Sequence, residues 1–452
     1  MTPLTIAPVP SASARSRTRR PGRPDNLAGW LAYAQGLHPQ SVDMSLARVT
    51  AVRDALGLAP SFAVITVAGT NGKGSTCALL ESVLRAAGHL VGVYTSPHLL
   101  RYNERVRIDG VSAGDAVLAA GFARVDAARG STLLTPFEFG TLAAMCVFVE
   151  AGLDAAILEV GLGGRLDAVN AFDADCAIIT SIGIDHTEYL GHTREAIGLE
   201  KAGVFRPKRT AISADPDPPP TIAQYAWRIG ARLLQNGRDY WVRQSGDEWA
   251  LVHPGGEICG LPLPALAGDF QLDNAAAALL ALHTLSARLA LDAPHRHAGL
   301  RGVRLAGRFQ RWRQSAASPE VVLDVAHNPH AAERLADLLV QHPVRGRTFA
   351  VFAMLRDKDI AATARALDAH IDAWFACGLA ERRGASADDM ALALAGAEVR
   401  AEVRLCSDPC EALRLALAQA KPDDRVLVFG SFSTVGAVLP WLDRPSSLAV
   451  VR

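Results

Sequence analysis

The stretch Ile65-Thr-Val-Ala-Gly-Thr-Asn-Gly-Lys-Gly-Ser-Thr76 decides the fold of the first half of this chain. The apolar run 63–67 leads into a glycine-rich turn that carries Lys73, and residues 76–87 have helical character. Glycines let backbone N–H groups surround phosphate oxygens, and the amino end of a helix favours negative charge. Lys73 would bind the β- and γ-phosphates, and the hydroxyl of Ser75 or Thr76 would face Mg²⁺. The stretch therefore predicts a site for a nucleoside triphosphate.

The spacing differs from that of the ordinary phosphate loop. The usual pattern is G-x-x-x-x-G-K-[ST], whereas here Gly74 separates Lys73 from Ser75. A plain glycine turn between a strand and a helix is the ordinary alternative. The strand before the turn, the lysine within it and the helix after it favour the phosphate site.

Apolar strands alternate with helical segments along the rest of the chain. This alternation predicts an α/β protein with a mostly parallel sheet covered on both faces, whose ligands bind beyond the carboxyl ends of the strands. A second α/β series begins near residue 320 and predicts a smaller, Rossmann-like α/β domain. Residues 42–56 and 271–289 are predicted helices, and residues 239–263 read as short strands at an antiparallel edge. The further predicted strands are 90–94, 155–160, 176–182, 321–325, 348–354, 373–377 and 425–429.

The predicted organisation has three parts. Residues 1–25 hold five arginines and no acid before Asp25, which indicates a disordered basic extension. Residues 26–303 would form the ATP-binding domain, and residues 304–452 the second domain. The boundary is placed near residues 299–307, where three glycines cluster.

Composition limits the classes of partner. The 452 residues contain 46 basic and 46 acidic side chains, so no overall charge favours nucleic acid or an anionic membrane. No apolar run approaches the roughly 18 residues that span a bilayer. The seven scattered cysteines do not form a disulfide framework. We expect a cytoplasmic monomer whose partners are small molecules.

Chemistry alone supports the following interpretations of four polar residues, of which Glu159 is the most unusual. Glu159 lies near the end of an apolar strand, where a carboxylate is costly unless it is paired or bound to a metal. His186 could contact a metal or donate a hydrogen bond to a metal ligand. Ser96 could cap a helix before Pro97. Lys201 reads as a lysine on the surface of a helix.

The ordered set of motifs resembles the Mur ligase superfamily and, within it, the bacterial bifunctional dihydrofolate synthase/folylpolyglutamate synthases. The motifs span roughly residues 60–435. They are Ala-Gly-Thr-Asn-Gly-Lys-Gly-Ser (68–75), Tyr-Thr-Ser-Pro-His-Leu (94–99), Phe-Glu (137–138), Leu-Glu-Val-Gly-Leu-Gly-Gly-Arg-Leu-Asp-Ala-Val-Asn (158–170), Asp-His-Thr (185–187), Glu-Lys-Ala-Gly (200–203), Asp-Asn-Ala-Ala (273–276), Gly-Arg-Phe (307–309), Asp-Val-Ala-His-Asn-Pro (324–329) and Gly-Ser-Phe (430–432).

The resemblance implies a metal site with Ser96, Glu159 and His186 as ligands and two Mg²⁺ ions per site. It also implies a carbamylated Lys201, whose new carboxylate would help to hold the second ion. CO₂ adds only to a neutral amine, so this role needs a lowered pKa at Lys201.

The resemblance assigns the remaining site residues to ATP, catalysis and the acceptor substrate. Ala306 and Val325 stand where the family usually has proline and glycine. Beside Lys73 and Lys201, the implied catalytic residues are Asp324 and His327, although Asp324 could instead cap a helix. The implied ATP-binding residues are Thr70, Asn71, Gly72, Lys73, Gly74, Ser75, Asn274, Arg308 and Asp324, and the implied substrate-binding residues are Thr135, Pro136, Phe137, Glu138 and Arg165. Surface positions for Asn274 and Arg308, and a core position for Phe137, are the ordinary alternatives.

The implied reaction is the ATP-dependent addition of L-glutamate to dihydropteroate and to tetrahydrofolate or its glutamylated forms, through an acyl phosphate. A folylpolyglutamate synthase with only the second activity remains an alternative. A Mur-type peptidoglycan ligase fits less well, because only about 40 ordered residues precede the phosphate loop. A nucleotide-binding regulator without ligase activity is the alternative from another class, and it would be expected to have lost some of the residues named above.

Overall fold

The computed structural model describes residues 23–40 and 42–442. Within these residues the chain forms an eight-stranded sheet, a three-stranded sheet and a six-stranded sheet. Most of the predicted basic extension, residues 1–22, lies outside the described residues.

Helices and strands alternate along much of the described chain. The helices are α1 (Leu27–Leu37), α2 (Ala47–Ala55), α3 (Lys73–Ala86), α4 (Asp115–Ala128), α5 (Pro136–Ala151), α6 (Thr187–Leu190), α7 (Arg194–Ala202), α8 (Pro220–Ile229), α9 (Phe270–Thr284), α10 (Ala293–Gly302), α11 (Pro329–Gln341), α12 (Ile360–Leu367), α13 (Ala387–Gly396), α14 (Pro409–Gln419) and α15 (Phe432–Leu442). Pairs of consecutive helices occur at α1–α2, α4–α5, α6–α7 and α9–α10. Short 3₁₀ turns lie at Tyr102–Arg105, Ala168–Ala171 and Asp368–His370.

The strands divide between the three sheets in chain order. They are β1 (Ala63–Ala68), β2 (Val91–Tyr94), β3 (Val106–Ile108), β4 (Val111–Ser112), β5 (Ala155–Glu159), β6 (Cys176–Ile179), β7 (Thr210–Ser213), β8 (Arg232–Gln235), β9 (Trp241–Ser245), β10 (Glu248–His253), β11 (Gly256–Pro262), β12 (Gln310–Trp312), β13 (Glu320–Leu323), β14 (Thr348–Phe352), β15 (Ala373–Cys377), β16 (Glu402–Cys406) and β17 (Arg425–Phe429).

The large sheet has the order β4-β3-β2-β5-β1-β6-β7-β8 and is parallel except at β3 and β4. Every residue of β1 is buried, and its side chains alternate between two cores. Val64 and Ala68 face the helices α1, α2, α4 and α5, whereas Ile65 and Val67 face α3, α9 and α10. Helices on both faces explain why these strands are apolar along their whole length.

The six-stranded sheet has the order β12-β13-β17-β14-β15-β16 and is parallel except at β12. Its two faces also carry separate cores, with Ala350 and Phe352 on one side and Phe349 and Val351 on the other. The α/β fold class, with a mostly parallel sheet and a second, smaller α/β unit, is therefore confirmed.

Several predicted elements need correction. The helix predicted over 42–56 begins only at Ala47, because residues 42–45 run along the wall of a large cavity. The segment 239–263 forms its own antiparallel sheet, β11-β10-β9, and not an edge of the large sheet. Helix α3 begins at Lys73 rather than Thr76, so the lysine itself opens the helix.

The described residues contain no helix that is long and apolar enough to cross a membrane.

Candidate active site

One large cavity lies between the two mostly parallel sheets. Its volume is about 980 Å³. The loops that follow β1, β2, β5 and β6 line one side of it, and the loops that follow β13, β14 and β17 line the other. Because each of these loops leaves the carboxyl end of a parallel strand, the polar residues predicted at the strand ends come together here.

The phosphate loop follows β1 and opens α3. Gly72 has φ +90°, a conformation that side chains rarely adopt, and a Cβ there would lie 2.8 Å from Oδ1 of Asn274. The Nζ atom of Lys73 donates to the carbonyl oxygens of Gly69 and Thr70, at 3.1 and 3.0 Å. The loop therefore holds its lysine over the amino end of a helix, which is the arrangement that binds phosphate.

The side of the loop next to α9 is formed by amides and hydroxyls. Asn274 is buried and donates from Nδ2 to Oε1 of Gln271, at 3.0 Å. The hydroxyl of Thr76 donates to Oδ1 of Asn274, and Nε2 of Gln271 donates to the hydroxyl of Ser75, both at 3.4 Å. Asn274 is therefore a buried neighbour of the phosphate loop and not a residue on the helix surface.

Glu159 ends β5 and lies in the cavity wall. Its residue is only 5% exposed, and Oε2 accepts a hydrogen bond from the backbone N–H of Ser96 at 3.0 Å. Burial raises the pKa of the carboxyl, and the nearby Lys73 partly offsets that rise. No helix begins at Ser96, so the helix-cap interpretation of this residue is wrong.

His186 follows β6 and lines the same cavity. Its φ is +52°, in the left-handed region that a bulky side chain seldom occupies. Burial lowers the pKa of the imidazole to about 4, with a further contribution from Lys358. The ring is therefore neutral at physiological pH and has a lone pair available for a metal ion.

Lys201 lies in the last turn of α7 and is buried, with 5% of the residue exposed. Its Nζ donates to the carbonyl oxygen of Gly69 at 2.9 Å, and Lys73 donates to the same oxygen. Burial and the neighbouring charge of Lys73 lower the pKa of Lys201 to about 7. The surface-lysine interpretation is wrong, and a substantial fraction of the amine is neutral near neutral pH.

Asp324 and Arg308 lie where the two halves of the chain meet, the first half being the part with the eight-stranded sheet and the second half the part with the six-stranded sheet. Asp324 accepts hydrogen bonds from the backbone N–H groups of Phe309 and Ala326, each at 2.8 Å. Helix α11 is capped instead by Asn328, so the helix-cap interpretation of Asp324 is wrong. The Arg308 guanidinium lies over the ring of Phe432, 5.2 Å from its centre, and burial lowers its pKa.

His327 reaches the site from the second half of the chain. Its Nδ1 lies 2.8 Å from the carbonyl oxygen of Val325, and its Nε2 lies 3.7 Å from Oδ2 of Asp185. Burial and then Lys358 lower the pKa of this imidazole to about 4.

The predicted acceptor segment forms the start of α5. Thr135 caps the helix and Glu138 closes a capping box with it, while Glu138 also pairs with Arg48 at 3.1 Å. The ring of Phe137 is half-buried, lies 5.8 Å from that of Tyr94, and faces the cavity. Thr135, Phe137 and Glu138 line the cavity, whereas Pro136 starts the helix outside it.

Arg165 is a second predicted substrate residue, after Pro136, that lies outside the cavity. Its side chain is 54% exposed and its Nε pairs with Glu200 at 3.0 Å. Its neighbour Leu166 does line the cavity. The tight packing of residues 164–165 against the end of α7 turns the arginine outward.

Three of the residues that join the two sides of the cavity were not assigned from the sequence, namely Asp185, Asn328 and Lys358. Asp185 pairs with Lys358 at 2.6 Å and accepts from Nδ2 of Asn328 at 3.1 Å. Asn71 of the phosphate loop exchanges side-chain hydrogen bonds with Asn328, each at 3.1 Å. The available signal was position: Asp185 and Asn328 lie in the motifs 185–187 and 324–329, and Lys358 lies in the loop after β14, where such loops face the ligand.

The donor set fits a divalent cation: the carboxylate and hydroxyl suit a hard ion such as Mg²⁺, for which the imidazole is an unusual ligand. The described residues contain no cluster of three or more His, Cys, Asp or Glu side chains able to hold a metal by themselves. Glu159 supplies a buried carboxylate, His186 a neutral imidazole and Ser96 a hydroxyl, and all three line the cavity beside the phosphate loop. Mg²⁺ commonly completes its coordination with phosphate oxygens and water, and therefore three protein ligands are adequate.

Comparison with known families gives two matches that follow the two α/β units. Residues 67–282 match the Mur ligase middle domain, and residues 307–432 match the Mur ligase, glutamate ligase domain. The chain is 45% identical over 426 residues to the dihydrofolate synthase/folylpolyglutamate synthase of Escherichia coli, covering 94% of this chain and 97% of that protein. It is 30% identical to the enzyme of the same name from Mycobacterium tuberculosis, covering 92% and 94%.

Comparison with solved structures gives the same family. E. coli FolC in complex with DHPP and ADP superimposes with a TM-score of 0.88 at 45% identity, covering 94% of this chain and 99% of that one. The Yersinia pestis bifunctional folylpolyglutamate synthase/dihydrofolate synthase with AMPPNP and Mn superimposes with a TM-score of 0.86 at 45% identity, covering 94% and 100%. A further bifunctional synthase, described with Mn, AMPPNP and L-glutamate bound, gives the same TM-score, identity and coverage.

Proposed function

The chain belongs to the Mur-ligase-type family of dihydrofolate synthase/folylpolyglutamate synthases, and from that membership we propose how its residues join L-glutamate to dihydropteroate and to reduced folates at the expense of ATP. It is an ATP-dependent acid–amino-acid ligase that uses a divalent metal ion. The observation that carries the proposal is the convergence of the phosphate loop, Glu159, His186 and Lys201 on one cavity beside an aromatic wall.

Carboxylates are poor acyl donors, so ATP activates the folate-type acid. The carboxylate oxygen attacks the γ-phosphorus and ADP leaves, which gives an acyl phosphate. The amine of L-glutamate then attacks the acyl carbon, phosphate leaves, and the amine loses a proton. The negative charge that spreads over the γ-phosphate in the first step is the charge that the site must stabilise.

The phosphate loop supplies much of that stabilisation. The Lys73 amine, now resting on two loop carbonyls, would move to the phosphate oxygens. The N–H groups at the start of α3 would donate to the same oxygens. Arg308, anchored over the ring of Phe432, and Asp324, fixed by two backbone N–H groups, would contact the nucleotide from the second domain.

Two Mg²⁺ ions would be held at the site and would neutralise phosphate charge when bound. Ser96, Glu159 and His186 are the side chains suited to the first ion. A carbamylated Lys201 would provide a carboxylate for the second. Carbamylation is supported by the burial of the amine and by its lowered pKa of about 7.

The acceptor would lie against the start of α5. Phe137 offers a flat apolar surface to a pterin ring. Thr135 and Glu138 already hydrogen-bond each other in a capping box, so their main contribution would be to keep this wall rigid. Arg165, which pairs with Glu200 outside the cavity, would reach the substrate only if that pair opened.

The test is phosphate release from ATP with L-glutamate and Mg²⁺, together with mass spectrometry of the products. Dihydropteroate in one reaction and tetrahydrofolate in another should each gain one glutamate. A gain with tetrahydrofolate alone would show a folylpolyglutamate synthase without the first activity. No turnover by folded protein that binds ATP would contradict the assignment.

The carbamate has a separate test that needs no turnover. Protein in ¹³C-bicarbonate should give a carbamate carbon signal in ¹³C NMR that is absent from Lys201→Met and present in Lys421→Met, a control at an exposed lysine. At fixed dissolved CO₂ the signal should grow as pH rises through 7, because the neutral amine is the reactive form. A spectrum without a Lys201-dependent signal would remove the carbamate and leave the ligase assignment standing.

A further inference from the structure

We propose that Lys358 is a positioning residue: by pairing with Asp185 across the two halves of the molecule, it fixes the backbone that presents His186 to the nucleotide site. The inference rests on the proposed function, since that function gives His186 its role. Lys358 itself is not assigned to the chemistry of the transfer.

The Lys358–Asp185 pair is short and buried. Nζ of Lys358 lies 2.6 Å from Oδ1 of Asp185, and the two side chains are only 5% and 10% exposed. Lys358 belongs to the loop between β14 and α12, whereas Asp185 follows β6 of the large sheet. Two charges withdrawn from water must satisfy each other, so the pair holds the two halves in one register.

Asp185 is the meeting point of several contacts from the second half of the chain. Its Oδ2 accepts from Asn328 at 3.1 Å and lies 3.7 Å from Nε2 of His327. With Lys358, three residues of the second half therefore face a single carboxylate of the first. The paired amides of Asn71 and Asn328 make a second junction nearby, directly on the phosphate loop.

The same carboxylate also acts on His186. Oδ1 of Asp185, the atom that Lys358 binds, accepts a hydrogen bond from the backbone N–H of His186 at 2.8 Å. His186 is held at φ +52°, a conformation that needs support from its surroundings in a residue with a bulky side chain. Lys358 therefore orients the Asp185 carboxylate, and that carboxylate steadies the peptide whose imidazole faces the cavity.

This chain of contacts gives Lys358 a specific consequence. When the two halves separate, Asp185 loses the cation that orients its carboxylate, and the His186 peptide is then held by a carboxylate that is free to turn. The metal side of the nucleotide site would therefore be complete only when the second half is docked. Such an arrangement ties phosphoryl transfer to the closed molecule, in which water is excluded from the acyl phosphate.

The variants are Lys358→Met, which keeps the length of the stem and removes the charge, and Lys358→Arg, which keeps the charge. Asp185→Asn and the double variant complete a cycle. Lys421→Met is the matched control, at an exposed lysine for which no ion pair is formed in the described residues. Circular dichroism checks that each variant is folded.

Two quantities are measured. We expect Lys358→Met to lower kcat by about 10²-fold, the effect of a small misplacement of a reacting group, while KM for ATP stays within about threefold of wild type. Mn²⁺ affinity in the presence of AMPPNP, followed by electron paramagnetic resonance without turnover, should weaken about tenfold, as for loss of a partner that orients a metal ligand. Lys358→Arg should recover part of both losses, and the double variant should be no worse than Asp185→Asn.

His186→Ala is the reference for the metal measurement. Wild-type kcat and Mn²⁺ affinity in Lys358→Met, or losses that simply add in the double variant, would overturn the positioning role. If the wild-type protein performed no glutamate transfer, the proposed function would fall, and the Mn²⁺ comparison between Lys358→Met, His186→Ala and the control would still decide the role of Lys358.

Discussion

Lys201 places an amine in a buried position beside a second amine, and this arrangement has a cost for stability. Burial and Lys73 lower its pKa from 10.5 to about 7 in the folded protein. Between these values the unfolded chain binds more protons than the folded one, so the stability of the wild type rises with pH across this window. Below pH 7 the full penalty applies.

Replacing this lysine by methionine should therefore stabilise the protein while abolishing ligation. One pKa unit corresponds to about 1.4 kcal/mol, and we expect Lys201→Met to raise the free energy of unfolding by about 1 kcal/mol or more at pH 7. The gain should disappear as pH approaches 10.5. Urea unfolding in CO₂-free buffers at several pH values measures it, with Lys421→Met as the control. A pH-independent gain would indicate a packing effect instead.

Glu159 is the second residue whose environment is costly in isolation. Its buried carboxylate has a raised pKa and, among its described neighbours, one hydrogen bond from a backbone N–H. Glu159→Gln keeps the shape and removes the charge that would hold Mg²⁺. We expect kcat to fall at least about 10²-fold, because a catalytic metal supplies several kcal/mol of charge stabilisation.

The control for Glu159→Gln is Glu150→Gln, at an exposed side chain that pairs with Arg124 on the surface. Isothermal titration of Mn²⁺ in the presence of AMPPNP should show weakened Mn²⁺ binding for Glu159→Gln. The control variant should bind Mn²⁺ as tightly as wild type. The first variant should also unfold no more easily than wild type, since a buried charge that its neighbours only partly compensate has been removed. Unchanged Mn²⁺ affinity would remove Glu159 from the metal site.

At the scale of single elements, the phosphate loop combines a positive-φ glycine with a close approach to a neighbouring side chain. A side chain at Gly72 would have to adopt φ +90°, and its Cβ would lie 2.8 Å from the amide oxygen of Asn274. Gly88, just after the same helix, has φ +81°, and a Cβ added there would have no other atom within 4 Å. The two glycines thus share a backbone conformation that would strain any other residue, and only Gly72 has a close neighbour.

Gly72→Ala should raise KM for ATP at least about tenfold, whereas Gly88→Ala should leave KM unchanged. Both should destabilise the protein by about 1–3 kcal/mol, since each places a side chain in a left-handed conformation. Steady-state kinetics and urea unfolding separate the two effects. Equal KM values in the two variants would show that strain alone, and not the approach to Asn274, governs the loop.

The elements also show how far the sequence could be interpreted alone. Strand and loop order placed Lys73, Glu159 and His186 at one edge of a sheet, because the carboxyl ends of parallel strands coincide. Periodicity could not reveal that residues 42–45 leave the helix to line the cavity. It also could not show that Arg165 turns to Glu200, because that depends on how tightly α7 packs against the turn.

At the scale of the whole molecule, what escaped prediction was which side chains pair directly between the loops of the two sheets. The Lys358–Asp185 pair joins residues 173 positions apart, and no local pattern identifies such partners. Only the packed molecule brings the loop after β14 against the loop after β6. The cavity, and every residue that bridges it, is a property of this packing.

Because the cavity is shared, a nucleotide bound there should stabilise both halves. A ligand that binds only the folded state contributes about 2.7 kcal/mol at a hundred times its dissociation constant. AMPPNP with Mg²⁺ should therefore raise the midpoint temperature of every unfolding transition that differential scanning calorimetry detects. Arg308→Ala should confine the rise to the half that carries the phosphate loop, because this guanidinium is held in the second half by Phe432. Arg301→Ala, at an exposed position just before the boundary, is the control. A wild-type scan in which only one transition moves would mean that the nucleotide does not bridge the sheets.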